Sequence, residues 1–310
     1  MLPEVQEMHA RGKTQRVFVR PFAWNLHAPT HMEWSPDGRL FVVERTTGKI
    51  KDATKGGDLA DAPAVVEGLE GPSSMAVLPD GRMLVTEFWG GRIRQIREGS
   101  AGRDLPVYAG ELHRPYSIAV DAVGRLSVLA SPDDKSSAVL IVREGGRIET
   151  LVPDLPTSEA PGFEGFAPPW SWPDRWHAYV AGCGKWGTDP KLYPELPYPL
   201  AVSVGGLGLV LGVPEEGGRF AELDVLASGL GYTGGMIAHP TNGLLCVTQP
   251  ARGEVLALDL REPRNHHFDP PVVRGLPMAS CIRFDERGET MFVCSSANGV
   301  IWQVEGAVRA

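Results

Sequence analysis

The chain repeats one pattern of apolar and polar positions: an alternating apolar segment, a polar turn with a glycine, and a second apolar segment. Three copies are HMEWSPDGRLFVVERTTGKI from His31, SSMAVLPDGRMLVTEFWGGRI from Ser73 and YSIAVDAVGRLSVLASPD from Tyr116. Their turn glycines, 43 residues apart, are Gly38, Gly81 and Gly124. Alternation with a period of two favours β-strands, and self-similarity at a fixed spacing indicates a repeat architecture.

Three further copies complete the repeat. They are the degenerate PPWSWPDRWHAYVAG, then GGMIAHPTNGLLCVTQPARGEVLAL around Gly243, and ASCIRFDERGETMFVCSSANGVIWQV around Gly288. A second phrase, VVEGLEGP, VLASGLGYT or VVRGLPMAS, ends one unit and starts the next. Each unit therefore offers about four short strands, the number in one propeller blade. The pattern predicts an all-β, six-bladed β-propeller that occupies residues 1–310 as a single domain.

The last unit ends after its third strand, IWQV, close to the C-terminus. The segment TQRVFVRPF at 14–22 resembles the outer strands and precedes the first copy. We predict that this N-terminal strand completes the last blade and closes the ring, which leaves no long open edge.

Composition agrees with this reading and restricts the partners. The 37 glycines and 27 prolines suit many short strands joined by turns, and the formal net charge of −8 lacks the basic footprint of nucleic-acid binding. No apolar leader and no run of eighteen apolar residues is present. We expect a soluble, cytoplasmic protein without a nucleic-acid or membrane partner. The four cysteines lack metal-ligand spacing and predict buried or free thiols.

The Pro-Asp-Gly-Arg turn, the acidic or polar residue after the second strand, and the Gly-Arg-Ile third strand resemble the six-bladed propellers of the NHL, gluconolactonase (regucalcin) and strictosidine synthase-like superfamily. The resemblance covers residues from about 14 to 305. It implies the fold, whereas the activities in that superfamily include lactonases, phosphotriesterases, lyases, condensing enzymes and interaction modules.

The candidate site lies where first strands begin and second strands end, because these ends share a face at the channel mouth. The position six after the turn glycine holds Glu44, Glu87, Ala130 and Gln249, with Ser295 as the equivalent after an insertion. The carboxylates there suit either a site or ion pairs with Arg45 and Arg92.

Two histidines, His31 and His113, precede or begin first strands, where the other blades mostly hold small residues. An imidazole in that position suits a general base, a metal ligand or a hydrogen-bonded filler. We predict His31 and His113 as acid/base residues, oriented by Glu33, Glu44 or Glu87. Glu33 stands out among these carboxylates, because the equivalent position in the other repeats is apolar or small. It holds Ala76, Ala119, Ser171, Ile237 and Ile282. A carboxylate there needs a charged partner or a functional role.

The longest departure from the repeat is GCGKWGTDPKLYPELPYPL, at about 182–200 in blade 4. We place it after the second strand, on the candidate face, as a lid or a packing plug. Its predicted substrate-binding residues, together with Gln249, are Lys185, Trp186, Asp189 and Tyr193.

The resemblance implies a divalent cation held by Glu, Asn and Asp residues, a set from which this sequence departs, since only Glu44 and Glu87 match it in chemical type. His31, Glu44, Glu87 and His113 offer a different divalent-metal site. We predict no further cofactor, since Walker, HExxH and GxSxG motifs are absent. Two functions remain open: a small-molecule enzyme at the channel mouth, either a lactonase-like hydrolase or a lyase or condensing enzyme, and a non-catalytic propeller that binds a small ligand or a protein.

Overall fold

The computed structural model describes residues 4–10, 13–121, 123–131, 136–156, 178–182, 198–204 and 207–308. Nearly all regular structure in these ranges is β-strand. The chain begins with β1 (Glu4–Ala10) and β2 (Lys13–Trp24), which pair antiparallel with each other.

The following strands form blades in chain order. Blade 1 comprises β3 (Pro29–Trp34), β4 (Leu40–Glu44), β5 (Lys49–Asp52) and β7 (Ala64–Val66), while β6 (Gly57–Asp58) pairs with β2. Blade 2 comprises β8 (Pro72–Val77), β9 (Met83–Glu87), β10 (Arg92–Gln95) and β11 (Val107–Ala109). Blade 3 comprises β12 (Ile118–Val120), β13 (Leu126–Ala130), β14 (Ser136–Val142) and β15 (Ile148–Pro156).

The second half of the ring follows the same plan. Blade 4 comprises β16 (Ala178–Gly182), β17 (Leu200–Val204), β18 (Leu209–Val213) and β19 (Asp224–Ser228). Blade 5 comprises β20 (Met236–Ala238), β21 (Leu245–Gln249) and β22 (Glu254–Leu258), after which β23 (Arg264–Asn265) joins β19 in parallel. Blade 6 comprises β24 (Ala279–Phe284), β25 (Thr290–Ser295) and β26 (Val300–Glu305). Within the described ranges, short 3₁₀ helices span Gly102–Asp104 and Phe220–Glu222.

The six-bladed propeller is confirmed, and so is its closure by the N-terminal strand. Strand β2 pairs antiparallel with β26, with Phe18 opposite Glu305 and Ala23 opposite Ile301. Strand β1 then adds a further strand outside β2, which the sequence reading did not anticipate. Both chain ends therefore meet in blade 6, and the edge of β26 is covered.

The hydrophobic core consists of six clusters, each lying between neighbouring blades. Strand β4 shows the reason. Leu40 and Val42 belong to the cluster shared with blade 6, whereas Phe41 and Val43 belong to the cluster shared with blade 2. Alternate side chains point to opposite faces of a strand, so a strand covered on both faces is apolar throughout.

The turn glycines follow from backbone geometry. Gly38 and Gly81 have φ values of 81° and 86°, a region that residues with a Cβ rarely adopt. In blade 1 the turn is closed by a 2.9 Å hydrogen bond from Gly38 N to Ser35 O. The repeated glycine thus fixes where each first strand reverses into the second.

The predicted blade 4 insertion, at about 182–200, lies almost entirely outside the described residues, so its place in the blade stays a prediction. Among the described strands of this blade, β16 is the innermost, because it contacts the inner strands β12 and β20. No helix among the described residues has the length and apolar character to cross a membrane.

Candidate functional site

A cavity of about 600 Å³ occupies the propeller centre and is lined by the first strands of blades 1, 2, 3, 5 and 6. Small side chains form much of its wall, because several strands converge on one axis. They include Ser73, Ser74, Ser117, Gly235 and Ser280. Three larger polar side chains from blades 1 and 6 stand out against this wall: His31, Glu33 and Arg283.

Arg283 joins the other two. Its Nη2 lies 2.8 Å from Glu33 Oε2 and 2.9 Å from His31 Nε2. The pair is largely removed from water, with side-chain exposures of 9% for Arg283 and 19% for Glu33. Burial lowers the pKa of Arg283, but the facing Glu33 carboxylate outweighs that effect and raises it above its ordinary value. The guanidinium therefore stays charged, and Glu33 has the charged partner that its position required.

The repeat pattern did not single out Arg283, because the position of Glu33 was matched to Ile282 in the last repeat, one residue too early. Counting back five residues from the turn glycine gives Glu33 from Gly38 and Arg283 from Gly288. Opposite charges thus occupy the same repeat position in two adjoining blades. This shared position of two opposite charges is the sequence feature that could have identified Arg283 as the partner of Glu33.

Both ring nitrogens of His31 face donors. The backbone N–H of Met75 points at Nδ1 at 3.1 Å, and Arg283 Nη2 lies beside Nε2. A neutral imidazole has only one acceptor nitrogen, so its single N–H must meet one of these two donors. Burial and the adjacent guanidinium hold the pKa of His31 well below its usual 6.5. The ring is therefore neutral at pH 7, and its N–H faces a donor among the described residues.

The predicted residues Glu44 and Glu87 have structural roles within their own blades. Glu44 accepts a 2.9 Å hydrogen bond from His27 N and pairs with the buried Lys51 at 3.4 Å. Glu87 accepts from Glu70 N at 2.7 Å and pairs with Arg92 and Arg94. Neither lines the central cavity. Each carboxylate instead ties the end of a second strand to the loop that enters the first strand of its blade.

The same tie explains the other members of this repeat position. Gln249 Nε2 donates to Leu230 O, and Ser295 Oγ donates to Pro277 O. In blade 3 the side chain of the contact comes from the other segment. Ala130 has no polar side chain, and the ring of His113, in the loop before the first strand, contacts Ser131 O at the end of the second strand. His113 and Gln249 therefore lie apart from His31. Gln249 lines a separate cavity of about 320 Å³ with residues such as Gly208 and Tyr232.

The metal site predicted from His31, Glu44, Glu87 and His113 is not assembled. Within the described ranges, no three His, Cys, Asp or Glu side chains are grouped so that they could hold a metal ion. The cavity does not fit the calcium that related folds imply either, since Ca²⁺ takes six to eight oxygen ligands and Glu33 is already engaged by a guanidinium. The predicted substrate-binding residues Lys185, Trp186, Asp189 and Tyr193 lie outside the described residues.

No protein-family model matches the chain, and no curated protein matches it in sequence. Many solved structures match its fold, including the following three. A gluconolactonase from Xanthomonas campestris has a TM-score of 0.63 at 12% identity, covering 98% of this chain and 95% of its own. Regucalcin, a calcium-binding protein from Agrobacterium tumefaciens, has 0.62 at 12%, with 94% and 93% covered. Virginiamycin B lyase from Staphylococcus aureus has 0.57 at 11%, with 93% and 99% covered.

At these identities the likeness concerns the fold alone. The three proteins differ in their described roles, so the fold does not choose among them. The strand pairings and the closure in blade 6, together with this likeness, settle the architecture: the chain is a six-bladed β-propeller, similar in fold to these gluconolactonase, regucalcin and virginiamycin B lyase structures.

Proposed function

We propose that the chain is an enzyme that acts on a small organic molecule in the central cavity, as a hydrolase or a lyase. The observation that carries the proposal is the Arg283 guanidinium, which joins Glu33 and His31 on the inner wall of the cavity, among side chains that are mostly small or apolar. Ionisable groups gathered in a cavity and strongly perturbed by each other mark a candidate active site.

We assign the roles differently from the sequence-based prediction, in which His31 was an acid/base residue oriented by a glutamate. The Met75 N–H requires Nδ1 of His31 as its acceptor, which leaves the ring proton on Nε2 beside Arg283. His31 then acts as a neutral hydrogen-bond donor, with Arg283 as a cationic one. Two such donors suit a carbonyl oxygen that gains negative charge in the transition state.

Glu33 is the proton acceptor in this proposal. Its Oε1 accepts the Trp34 N–H at 3.0 Å, and its Oε2 faces Arg283. When the carbonyl oxygen of a substrate replaces Glu33 as the hydrogen-bond acceptor for Arg283, Oε2 of Glu33 becomes available to accept a proton. The proton comes from water in hydrolysis, or from the carbon next to the carbonyl in elimination.

The test is a screen of the purified chain with lactones, esters and β-elimination substrates, followed by variants. We expect Glu33→Gln to lower kcat by about 10²- to 10⁴-fold, the range for an acid/base residue, on any substrate that is turned over. His31→Gln should lower kcat less, because Gln still donates a hydrogen bond. Glu289→Gln, an exposed carboxylate outside the cavity, is the matched control. Full activity of folded Glu33→Gln would contradict the assignment.

A non-catalytic binding propeller is the second candidate. The observation that favours it is that Glu33, His31 and Arg283 hold one another in place by direct contacts, which suits a rigid recognition site as well as a catalytic one. Saturable binding of a cavity ligand, with no product formed over many hours, would select this candidate.

A further inference from the structure

The rim of the central cavity is acidic. Asp285 and Glu286, in the turn between β24 and β25, line the cavity together with Glu33 and Arg283. These are the charged side chains among the described lining residues, so the cavity lining carries three carboxylates and one guanidinium, of which only Glu33 contacts Arg283 directly. Asp285 is held in place, since its Oδ1 accepts the backbone N–H groups of Glu289 and Thr290 at 2.8 and 3.2 Å. Glu286 is exposed at the turn.

The inner wall, in contrast, has an excess of hydrogen-bond donors. Arg283 Nη1 donates to Ile282 O at 2.6 Å and Nη2 to Glu33, but its buried Nε has no partner among the described residues. The ring of His31 likewise faces donors at both nitrogens, from Met75 N and Arg283 Nη2. A buried donor without a partner is costly, so the inner wall is suited to a ligand that supplies an acceptor oxygen.

We infer that the cavity selects its ligand by charge: it binds a neutral molecule that presents a carbonyl oxygen to Arg283 and His31, and Asp285 and Glu286 exclude the corresponding carboxylate. Glu33 already neutralises Arg283, so a ligand needs no negative charge of its own. A carboxylate would instead meet two further carboxylates, in a cleft whose apolar walls strengthen the repulsion.

The inference builds on the proposed site but not on turnover. If the site hydrolyses an ester bond, the product is a carboxylate, and the same rim speeds its release. Asp285 and Glu286 are thereby specificity-determining residues, whereas Arg283 and His31 provide the recognition of the oxygen.

The experiment compares benzamide with benzoate, which share a shape and differ in charge. Each is titrated into the ¹⁵N-labelled full chain at low ionic strength, and Kd is obtained from the amide shifts of cavity residues. We expect benzoate to bind at least about tenfold more weakly than benzamide, which corresponds to about 1.4 kcal/mol. Glu286→Gln and Asp285→Asn should each narrow that ratio by a few-fold without changing the Kd of benzamide. Glu289→Gln, on the same turn but outside the cavity, should leave the ratio unchanged.

The outcomes separate this inference from the proposed function. Equal Kd values for benzamide and benzoate in the unmodified chain would overturn charge selection and leave the proposed function standing. The same conclusion would follow if neither Asp285→Asn nor Glu286→Gln reduced the ratio of the benzoate Kd to the benzamide Kd. Failure of both probes to bind at millimolar concentration would overturn the charge selection and also count against the cavity as a ligand site. The kcat of Glu33→Gln tests the proposed function separately.

Discussion

The imidazole Nε2 of His31 lies 2.9 Å from Nη2 of Arg283, a residue 252 positions later in the chain. On the other side of the ring, Nδ1 receives the Met75 N–H. A protonated ring would place N–H groups against both donors and a second positive charge beside the guanidinium. The fold therefore opposes protonation of His31, and this opposition is measurable as a pH dependence of stability.

We expect the free energy of unfolding to fall as the pH drops below about 6.5. The pKa of His31 is lower in the folded chain than the ordinary 6.5, so below 6.5 the unfolded state binds the proton and the folded state does not. Its contribution is fully present above pH 6.5 and is lost at up to about 1.4 kcal/mol per pH unit as the pH falls. Urea unfolding between pH 7.5 and 5 measures the slope.

The variant His31→Gln should have a shallower slope over that window. His239, whose pKa burial also lowers, contributes a similar dependence in both proteins and therefore cancels in the comparison. His267→Gln, at an exposed position, should leave the slope unchanged. Identical slopes for His31→Gln and the unmodified chain would show that His31 titrates normally.

Breaking the ion pair of Glu33 and Arg283 should cost much more than removing both charges. Glu33→Gln leaves the guanidinium buried without a counter-charge, and we expect a loss of about 3 kcal/mol in the free energy of unfolding. The double variant Glu33→Gln, Arg283→Met should recover a large part of that loss, because it removes the unpaired charge. A double-mutant cycle by urea unfolding gives the coupling energy. Additive losses would contradict the pairing.

Glu87 should affect stability without affecting ligand binding. Burial raises the pKa of Glu87, but hydrogen bonds from Arg92, Glu70 N and Arg94 outweigh it and hold the pKa below its ordinary value. Glu87→Gln leaves the buried Arg94 without its carboxylate, and we expect a loss of about 3 kcal/mol. The benzamide Kd of the folded variant should equal that of the unmodified chain. A higher benzamide Kd for Glu87→Gln would indicate that Glu87 belongs to the candidate site.

Truncation at the N-terminus should distinguish the roles of β1 and β2 in stability. Deleting residues 1–10 removes β1 alone, and we expect a cooperative, monodisperse protein with a modest loss of stability, because β2 still covers β26. Deleting residues 1–24 removes β2 as well and exposes the edge of β26, so we expect aggregation or loss of cooperative unfolding. Size-exclusion chromatography and urea unfolding distinguish the two. Normal behaviour of the longer deletion would contradict closure by β2.

Much of the architecture could be read from the sequence because it is local and repeated. The alternation in segments such as LFVVE and MLVTE fixes strands, and the glycine at 38 and 81 fixes their reversal. Blade 4 shows where the pattern is weak. The repeat places HAYVAG as a second strand, whereas β16, which covers Ala178–Gly182, is the innermost of the described strands of this blade. Periodicity alone does not give the place of a strand in its sheet.

The candidate site shows the same division. The sequence marked His31 and Glu33 as exceptions among small residues, and the structure places both on the cavity wall. It also marked Glu44, Glu87 and His113, which turn out to contact backbone loops and ion-pair partners within their own blades. A polar residue at a repeat position identifies a special environment, but not whether its partner is a ligand or the neighbouring loop.

The sequence by itself determined the blades, their number and the strand that closes the ring, because hydrophobic alternation and turn glycines act over a few residues and recur. Only the tertiary structure decided which side chains meet. Arg283 reaches Glu33 and His31 because ring closure brings the last blade beside the first. Contacts across that junction depend on register and on the direction of each side chain, to which the local pattern of apolar and polar positions is insensitive.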